Sequence, residues 1–517
     1  MMRLPTIPKK PGSTAQGKAR LQSKSAPEAA EGRPERPREA GGTPVALYHY
    51  VINKGNNSRL ILAAMRQRPW FGAAPVDASK KSNRRTFHWE MYGQKRTFGK
   101  RRSTCNHLEG NGALVSKKGL HFTMKRHCEG GESEPMTSFM PLSFHLVAGA
   151  EAGEEFAAFD QSFASSLREV ESRRAQSAPS AKPDDGGDEA GGDDGGGDAQ
   201  ARSRTASDAG EKDAGEKDDT TKRRRRRRRK PTEGDATNCW ILKPASFSNR
   251  GFGIRVSNDR EEMSAIVGSE ARSDARCGGW IVQRYIERPL LVRQRKFDVR
   301  VFVVLVAAPA LRAYVHKSAN YVRTSSELYS LAPATLSNRL MHLTNDGVQN
   351  TQSDKYGKYE AGNKLSLAAL QDSLVERGRC ADDWLAAKLL PRIRELVALT
   401  AAAARESLNP HGRRGFELLG YDFMLDDDLN VYLIEINSNP CLELVCPMLE
   451  ETLPKMISDV LKVGLDAVMP PPKPADCSRR QREALDALEA TPHDFEEVEL
   501  PPRRRAATPA DGPEDDS

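Results

Sequence analysis

The segment from Gly415 to Pro440, GFELLGYDFMLDDDLNVYLIEINSNP, constrains the fold of this chain more than any other. It predicts a β-hairpin, because two apolar runs, 421–426 and 431–437, flank an acidic polar loop at 427–430. Both runs carry apolar residues on both faces. Such strands are typical of the interior of a sheet rather than of its edge, so the segment indicates a buried sheet near the C-terminal end of the chain.

Two carboxylates and an amide interrupt this apolar hairpin, namely Asp422, Glu435 and Asn437. Because side chains alternate along a strand, Glu435 and Asn437 are predicted on one face, together with Val431 and Leu433. If Asp426 pairs with Val431, Asp422 lies opposite Glu435, with about 5 Å between the two Cβ atoms. Oxygen ligands of this kind suit Mg²⁺. A buried acid requires a cation or a partner, so the hairpin predicts a metal site rather than a solvated surface.

Composition separates ordered from low-complexity segments. The hydrophobic content of 38% is low for a wholly globular chain and predicts partial disorder. Five segments are predicted from the local composition: a disordered basic arm at 1–44, an N-terminal domain at 45–171, an acidic and then polybasic insert at 172–236, central and C-terminal domains at 237–469, and a flexible charged tail at 470–517. The two ordered blocks are long enough for two or three packed units.

The chain has a net charge of +8, and its densest positive segment is the run KRRRRRRRK, from Lys222 to Lys230. A run of this kind is typical of a nuclear signal, a nucleic-acid contact, a tether for acidic protein surfaces, or a tolerated surface insertion. The absence of interleaved aromatic residues disfavours sequence-specific nucleic-acid binding.

No apolar stretch approaches the ~20 residues of a membrane span. The N-terminus lacks an apolar signal core, so we expect neither membrane insertion nor secretion. The eight cysteines include no CxxC pair. They are expected to be reduced thiols in a cytoplasmic protein.

A second group of motifs predicts phosphate binding. Lys243 ends the apolar segment CWILKPA, and the segment FSNRGFGI then supplies Arg250, Gly251 and Gly253. A glycine-rich turn brings backbone N–H groups and cations close to phosphates. The next apolar segment, WIVQRYIERPLL, predicts either an ordinary core strand or a strand exit whose backbone faces a flat base.

The segment RKFDVRVFVVLV predicts a strand with one charged face. Lys296, Asp298 and Arg300 alternate with Phe297 and the valines after it. Because unpaired buried charge is costly, three charged residues on such an apolar strand indicate a polar wall of an active site. Further polar candidates occur in YVRTSSELY and MHLTNDGVQ, namely Arg323, His342, Thr344 and Asn345.

Taken in order, these motifs resemble those of the tubulin tyrosine ligase-like family, which has an ATP-grasp fold. The resemblance also includes GNNSRLILAAMRQRPWF at 55–71 and YGKYEAGNKLS at 356–366. It covers both ordered blocks and neither the tails nor the insert. It implies an α/β (α+β) fold in which a smaller N-terminal domain and central and C-terminal mixed sheets surround a nucleotide cleft.

The resemblance also implies residue roles. ATP would be bound by Lys117, Lys243, Arg250, Gly251, Lys296 and, through the backbone edge that faces adenine, Gln283, Arg284, Tyr285 and Ile286. Mg²⁺ would be held by Asp422, Glu435 and Asn437. The incoming amino acid and the acceptor carboxylate would be lined by Asp298, Arg300, Arg323, Thr344 and Asn345.

The implied reaction is ATP-dependent amide formation between a free amino acid and a carboxylate of a tubulin C-terminal tail. The motifs RTSSELY and HLTNDGVQ favour tyrosine as the amino acid, with glutamate and glycine as alternatives. Localisation on microtubules, in the cytoplasm or at the base of a cilium or flagellum, would follow.

Three other functions compete with this one. A catalytically inactive microtubule-binding protein would be expected to have lost one of the nucleotide or metal residues, and all are present. A small-molecule ligase of the same fold is disfavoured by the motifs outside the metal site. A nucleic-acid binder is disfavoured because no matching fold is predicted.

Overall fold

Three sheets organise the part of the chain that the computed structural model describes, which comprises residues 46–74, 84–91, 103–130, 134–151, 153–177, 237–245, 251–269 and 278–502. The predicted basic arm at 1–44, the arginine run at 222–230 and Arg250 lie outside these ranges. The described residues between Val45 and Ser517 belong to one compact unit. Helices and several sheets alternate along the chain, so the predicted α/β class is confirmed.

The first sheet is parallel and has the spatial order β2-β1-β3-β4. Its strands are β1 (Tyr48–Ile52), β2 (Phe71–Ala73), β3 (Thr86–Trp89) and β4 (Ser103–Cys105). Adjacent parallel strands need a crossover connection, and the helix Ser58–Met65 provides it between β1 and β2. The helix buries Ile61 and Met65 in a core shared with the largest sheet.

The second sheet is antiparallel, with the order β5-β8-β6-β7, and its two faces differ. Its strands are β5 (Ser143–Leu146), β6 (Trp240–Pro244), β7 (Arg255–Ser257) and β8 (Trp280–Arg284). One face packs through an aromatic cluster against the helices Glu154–Ser177 and Arg260–Ser269. Because side chains alternate, Lys243 and Gln283 lie on the other face. The first of these helices continues past the predicted domain boundary at 171.

The third sheet is the largest, and all its described pairs are antiparallel. Its strands are β9 (Leu291–Val292), β10 (Arg295–Ala307), β11 (Leu311–His316), β12 (Tyr321–Leu328), β13 (Lys364–Ser366), β14 (Gly415–Leu425), β15 (Val431–Asn437) and β16 (Phe495–Val498). β10 lies in the middle. It pairs with β12 and then β11 along one edge, and with β14 along the other. Among the described strands, the first sheet is thus purely parallel, and the second and third sheets are purely antiparallel.

The remaining α-helices are Gly112–Val115, Lys117–Glu129, Arg339–His342, Asp346–Gln352, Leu367–Glu376, Leu390–Ala403, Pro447–Val460, Asp466–Val468 and Arg479–Ala490. The π-helical turns are Leu385–Leu389 and Leu461–Leu465, and the 3-10 turns are Met136–Ser138, Pro333–Thr335, Ala361–Asn363 and Pro474–Asp476. The helix Leu390–Ala403 packs against one face of the largest sheet and Pro447–Val460 against the other. None of the helices in the described ranges is both long and apolar enough to span a bilayer.

The two faces of β10 explain where the polar side chains lie. As predicted, Phe297 and the alternating valines face one core, while Lys296, Asp298 and Arg300 face away from it. Phe302 continues the charged face and enters the second core. The charged residues are therefore confined to the end of the strand that the second core leaves uncovered.

The C-terminal region differs from the flexible tail predicted at 470–517. The helix Arg479–Ala490 begins with a capping box. β16 pairs with β11 and buries Phe495 and Val498 in two different cores. Two well-spaced apolar residues anchor this acidic segment, and a composition average does not detect them.

Candidate active site

The predicted opposition of Asp422 and Glu435 is confirmed, by a different register from the one expected. Val431 pairs with Leu425 rather than with Asp426. An irregularity of the pairing between Asp422 and Phe423 then restores the opposition of the two acids. This is a β-bulge, in which one extra residue of β15 stands against a shared partner.

The bulge changes which side chains share a face. Phe423 pairs with Leu433, and Asp422 with Glu435, so Ile434 is the extra residue. Leu433 and Ile436 both enter the core. The prediction that Glu435 lies on the face of Val431 and Leu433 is therefore wrong, since the bulge reverses the alternation. The reversal turns the carboxylate of Glu435 out of the core.

Asn437 brings the oxygen atoms of the two acids together. Its Nδ2 donates to Asp422 Oδ2 at 3.0 Å and to Glu435 Oε1 at 3.2 Å. Rotation of the amide by half a turn would present Oδ1 to the same point, since the two orientations fit similar space. Two carboxylates and an amide oxygen form a donor set that fits Mg²⁺. In the described ranges no three His, Cys, Asp or Glu side chains form a metal site, so such a site depends on Asn437.

Two arginines neutralise the buried acids. Arg300 binds Asp422 through Nε–Oδ1 at 2.6 Å and Nη2–Oδ2 at 3.1 Å. Arg323 binds Asp298 through Nε–Oδ1 at 2.7 Å and Nη2–Oδ2 at 2.6 Å, and its Nη2 lies 2.8 Å from Asp422 Oδ2. Thr344 Oγ1 donates to Asp298 Oδ2 at 2.7 Å. Burial alone would raise the pKa of Asp422, but the arginines lower it to about 2.

Arg300 keeps a donor for a further anion. An added β-carbon at Gly420 would lie 3.2 Å from Arg300 Cδ and 2.8 Å from Pro440 Cβ, so glycine allows both side chains to approach β14. Arg300 is 4% exposed, and its Nη1 has no hydrogen-bond partner among the described residues. A buried guanidinium nitrogen of this kind suits a carboxylate or a phosphate.

Lys243 faces the acids from the second sheet. Its Nζ donates to Gln283 Oε1 at 2.7 Å, and Gln283 Nε2 donates to Ser143 Oγ at 2.9 Å. Burial lowers the pKa of Lys243 to about 8, Glu435 counteracts the effect, and Lys117 adds to it. Lys117 and Glu435 are therefore close enough to Lys243 for their charges to act on it, which agrees with the proximity that the family resemblance implies.

Lys296 ends a chain of polar groups. Its Nζ donates to Tyr285 Oη at 2.9 Å and to the His342 carbonyl oxygen at 3.0 Å. Tyr285 Oη lies 2.8 Å from His342 Nδ1, and His342 Nε2 lies 3.0 Å from the Thr335 carbonyl oxygen. The carbonyl fixes the proton on Nε2, so Nδ1 accepts from the tyrosine. Burial lowers the pKa of Lys296 to about 7 and that of His342 to about 4.

Sheet hydrogen bonds occupy part of the predicted adenine edge. Gln283 lies inside β8 between two paired strands, and Tyr285 N–H donates to the Cys239 carbonyl oxygen at 3.0 Å. The Arg284 side chain lies on the opposite face, over the Trp240 ring, and does not join the site. Among the described residues, the Tyr285 C=O and the N–H and C=O of Ile286 make no backbone hydrogen bond, since Cys239 N–H donates to Glu287 Oε1 instead, so these groups fit the role best.

The glycine turn is held by the segment that follows β12. Arg339 Nη2 donates to the Gly251 carbonyl oxygen at 2.6 Å. Gly251 has φ of 71°, and an added β-carbon would lie 2.9 Å from Asn345 Nδ2. Asn345 Oδ1 is buried without a hydrogen-bond partner in the described part of the chain. Asn345 therefore lies beside the glycine turn, whereas Arg250 falls outside the described residues.

Three contributions were missed or undervalued at the level of sequence: the side chain of Gln283, the hydroxyl of Tyr285 and the ring of His342. The alternation of WIVQRYI places Gln283 and Tyr285 on one face with Lys243 paired nearby, and this was the signal available. His342 was unremarkable by its motif, since nothing local connects it to Lys296.

The assembled residues form a charged cluster in which lysines and arginines surround the acids. Lysines come from the second and third sheets, and arginines from β10 and β12. The acids lie on β10, β14 and β15. Such a set of groups suits a polyphosphate with a divalent cation and a substrate carboxylate beside it.

Comparison with known proteins adds a family to this geometry. A family model described as "Tubulin-tyrosine ligase family" matches residues 198–477, more than half of the 517-residue chain. Tubulin glycylase 3C of Tetrahymena thermophila is 32% identical over 240 residues, which are 46% of this chain and 21% of that protein.

Two further relatives are similar at the same level. Tubulin monoglycylase TTLL3 of Danio rerio is 33% identical over 234 residues, covering 44% of this chain and 29% of the relative. Inactive polyglycylase TTLL10 of Homo sapiens is 31% identical over 256 residues, covering 45% and 35%. The matched region thus spans about a fifth to about a third of the length of these relatives.

Proposed function

The chain belongs to the tubulin-tyrosine ligase family, and from this premise we propose that it is an ATP-dependent ligase that joins an amino acid to a carboxylate of a tubulin C-terminal tail. The family assignment confirms the resemblance read from the sequence motifs. One observation carries the proposal: Asp422 contacts Asn437 of the metal donor set and also Arg300 and Arg323 of the carboxylate-binding set. Nucleotide and acceptor would therefore meet at a single residue.

The proposed reaction has two steps. The acceptor carboxylate attacks the γ-phosphorus of ATP, which forms an acyl phosphate and releases ADP. The amine of the free amino acid then attacks the acyl carbon, which forms the amide and releases phosphate and a proton. No covalent enzyme nucleophile is needed. The protein has to hold three anionic groups close together: the ATP phosphates, the acceptor carboxylate and the carboxylate of the free amino acid. The arginines and lysines of the site offset the repulsion among them.

Each charged group has a place in this scheme. Lys243 and Lys296 would bind the ATP phosphates. Asp422, Glu435 and Asn437 fit Mg²⁺ as a donor set, and the ion would supply charge neutralisation for the transferred phosphoryl group. Arg300 Nη1 is buried and unpartnered within the described residues, so it is the donor best suited to the acceptor carboxylate.

Glycine is the amino acid that we propose. The sequence motifs favoured tyrosine, but the relatives described above carry names of glycylases, and none supports tyrosine addition or glutamate addition. Glycine therefore replaces tyrosine as the expected amino acid.

A second candidate function is microtubule binding without catalysis. One relative is named an inactive polyglycylase, so similarity at this level is compatible with loss of activity. Against this candidate, the chain retains Lys243, Lys296, Asp422, Glu435 and Asn437, and these side chains interact with one another through charge or hydrogen bonds. Tubulin as the partner and a location on the cytoskeleton follow from either candidate.

The decisive experiment offers radiolabelled glycine, tyrosine or glutamate in separate reactions with ATP, Mg²⁺ and tubulin. Glycine incorporation that is lost in Glu435→Gln establishes the ligase. Asp428→Asn, in the exposed loop of the same hairpin, is the matched control and should stay active. Absence of label from all three amino acids, with ATP binding intact, supports the binding-only candidate.

A further inference from the structure

The loop that follows β15 has no regular secondary structure from Ser438 to Val445, yet parts of it are fully buried. Leu442 is 0% exposed. The loop begins directly after Asn437, the last residue of the candidate metal donor set. Because no strand or helix ladder holds this backbone, side-chain hydrogen bonds from elsewhere must fix its path.

Two asparagines of the N-terminal region provide those hydrogen bonds. Asn56 Nδ2 donates to Asn439 Oδ1 at 2.5 Å and to the Pro440 carbonyl oxygen at 2.8 Å. Asn56 Oδ1 accepts from Leu442 N–H at 3.0 Å, and Asn57 Nδ2 donates to the Leu442 carbonyl oxygen at 3.0 Å. Both polar atoms of the Asn56 side chain are thus used on one short stretch of loop.

Asn56 and Asn57 thus form a clamp on residues 439–442, and the backbone of the clamp also favours asparagine. Asn56 has φ of 41° and Asn57 of 54°, directly before the helix Ser58–Met65. Asparagine tolerates this left-handed region better than most residues. The residue type is therefore suited both to the turn and to the loop that it holds.

The clamp also reaches the surroundings of Arg300 through Pro440. Pro440, whose carbonyl Asn56 holds, packs with Arg300 against the bare Cα of Gly420. Displacement of the loop would therefore move Pro440, and it would loosen the end of β15 that carries Asn437.

We propose that Asn56 is a positioning residue that fixes the metal–nucleotide site from the N-terminal region. Asn56 contacts none of the three donor residues and acts only through residues 439–442. The inference rests on the proposed function, since it assumes that Asp422, Glu435 and Asn437 hold Mg²⁺ with a nucleotide.

The test is Asn56→Gly in the full chain, because glycine keeps the left-handed turn and removes only the clamp. Calorimetric titration with ADP at a series of Mg²⁺ concentrations measures the Mg²⁺ dependence of nucleotide binding without catalysis. We expect the half-saturating Mg²⁺ concentration to rise by about tenfold, as is typical when groups that orient metal ligands are lost. In the ligase assay the KM for the amino acid should stay within about twofold, because the lost interaction acts on the metal and the nucleotide and not on binding of the amino acid.

Asn409→Gly is the matched control. Asn409 also has a positive φ, of 55°, and its side chain also makes two hydrogen bonds, both to Arg413. It precedes the far end of β14, which lies roughly 23 Å along the strand from Asp422. Its Mg²⁺ dependence should match that of the wild type.

Two results separate the outcomes. If the wild type shows Mg²⁺-dependent ADP binding and Asn56→Gly shows the same dependence, Asn56 has no positioning role. If the wild type binds no nucleotide, the proposed function itself fails. Should Asn56→Gly not fold, Asn439→Ala removes the partner of the 2.5 Å bond from the other side, and an unchanged Mg²⁺ dependence there also overturns the inference.

Discussion

Arg323 on β12 donates to Asp422 on β14 at 2.8 Å, although β10 lies between the two strands. The same guanidinium holds Asp298 of the intervening strand. Asp422 also accepts from Nε and Nη2 of Arg300 and from Asn437. Three of these donors share Oδ2, whereas Oδ1 accepts only from Arg300 Nε. A further ligand on Oδ2 must therefore displace one of these donors.

Magnesium is expected to strengthen acceptor binding, because an ion on Asp422 Oδ2 that displaces Nη2 of Arg300 or Arg323 would release that donor for the acceptor carboxylate. We expect a labelled acidic tail peptide to bind at least about fivefold tighter with ADP and Mg²⁺ than with ADP and a chelator, within the usual range of coupling between two sites. Fluorescence anisotropy measures both affinities. A peptide with glutamine in place of glutamate is the control, and equal affinities for the acidic peptide would contradict the displacement.

Arg323→Ala should destabilise the protein strongly, because it leaves the carboxylates of Asp298 and Asp422 buried without their shared partner. We expect a loss of about 3–5 kcal/mol in the free energy of unfolding, as for other broken buried ion pairs. Urea denaturation measures it. Arg312→Ala is the control, since Arg312 forms an exposed pair with Glu497 at 3.7 Å, and its loss should cost no more than about 1 kcal/mol. Similar losses in both variants would argue against the buried network.

Much of the site could be predicted because its residues obey the period of a strand. The alternation in RKFDVR placed Lys296, Asp298 and Arg300 on one face, and the structure agrees. The opposition of Asp422 and Glu435 was predicted as well, but from a register that is one residue off and that the bulge at Ile434 compensates. Local periodicity is sufficient where a strand is regular, as β10 is along β14.

The rest required contacts that no local pattern encodes. The bulge at Ile434 breaks the period by one residue, and nothing in VYLIEIN marks the position. The clamp of Asn56 on Pro440 and the bond of Lys296 to the His342 carbonyl join residues far apart in the chain. β16 was missed because its acidic composition hides two anchoring residues. In each case tertiary packing decided what composition and alternation left open.

Nucleotide affinity should fall as pH rises through about 7 to 8. Burial and the nearby Lys243 lower the pKa of Lys296 to about 7, so this lysine loses its proton in that range and no longer attracts phosphate. Isothermal titration with ATP and Mg²⁺ at pH 6.5 and 8.5 measures the change. Lys296→Met should bind more weakly and lose the part of the pH dependence near pH 7, whereas Lys243, with its pKa lowered to about 8, keeps the part at higher pH. His342 cannot produce the effect, because its pKa is lowered to about 4.

The same lysine should affect stability with the opposite sign. The folded-state pKa lies below the ordinary value of 10.5, so between about pH 7 and 10.5 the unfolded chain binds more protons than the folded one. The contribution of Lys296 to the free energy of unfolding therefore rises with pH across this window. Urea denaturation of the wild type and Lys296→Met across the window isolates the contribution. A difference between the two proteins that does not change with pH would contradict the lowered pKa.

Removal of residues 178–236 should leave catalysis intact and weaken microtubule binding at low salt. Arg174 Nη2 lies 3.4 Å from Thr237 Oγ1, so the two ends of the removed segment are adjacent and a short glycine-serine linker can join them. Loop length costs little in stability when the ends already meet. Incorporation of glycine into a short tail peptide should therefore be unchanged.

The removed segment contains the run of seven arginines between Lys222 and Lys230, and microtubule tails are acidic. Electrostatic steering of this kind raises association rates by about tenfold or more, and salt screens it. We expect the association rate with microtubules to fall by at least that factor at low salt and to converge with the wild type at high salt. A full-length variant with glutamine in place of the seven arginines separates charge from length. If it associates as fast as the wild type at low salt, the arginine run has no steering role.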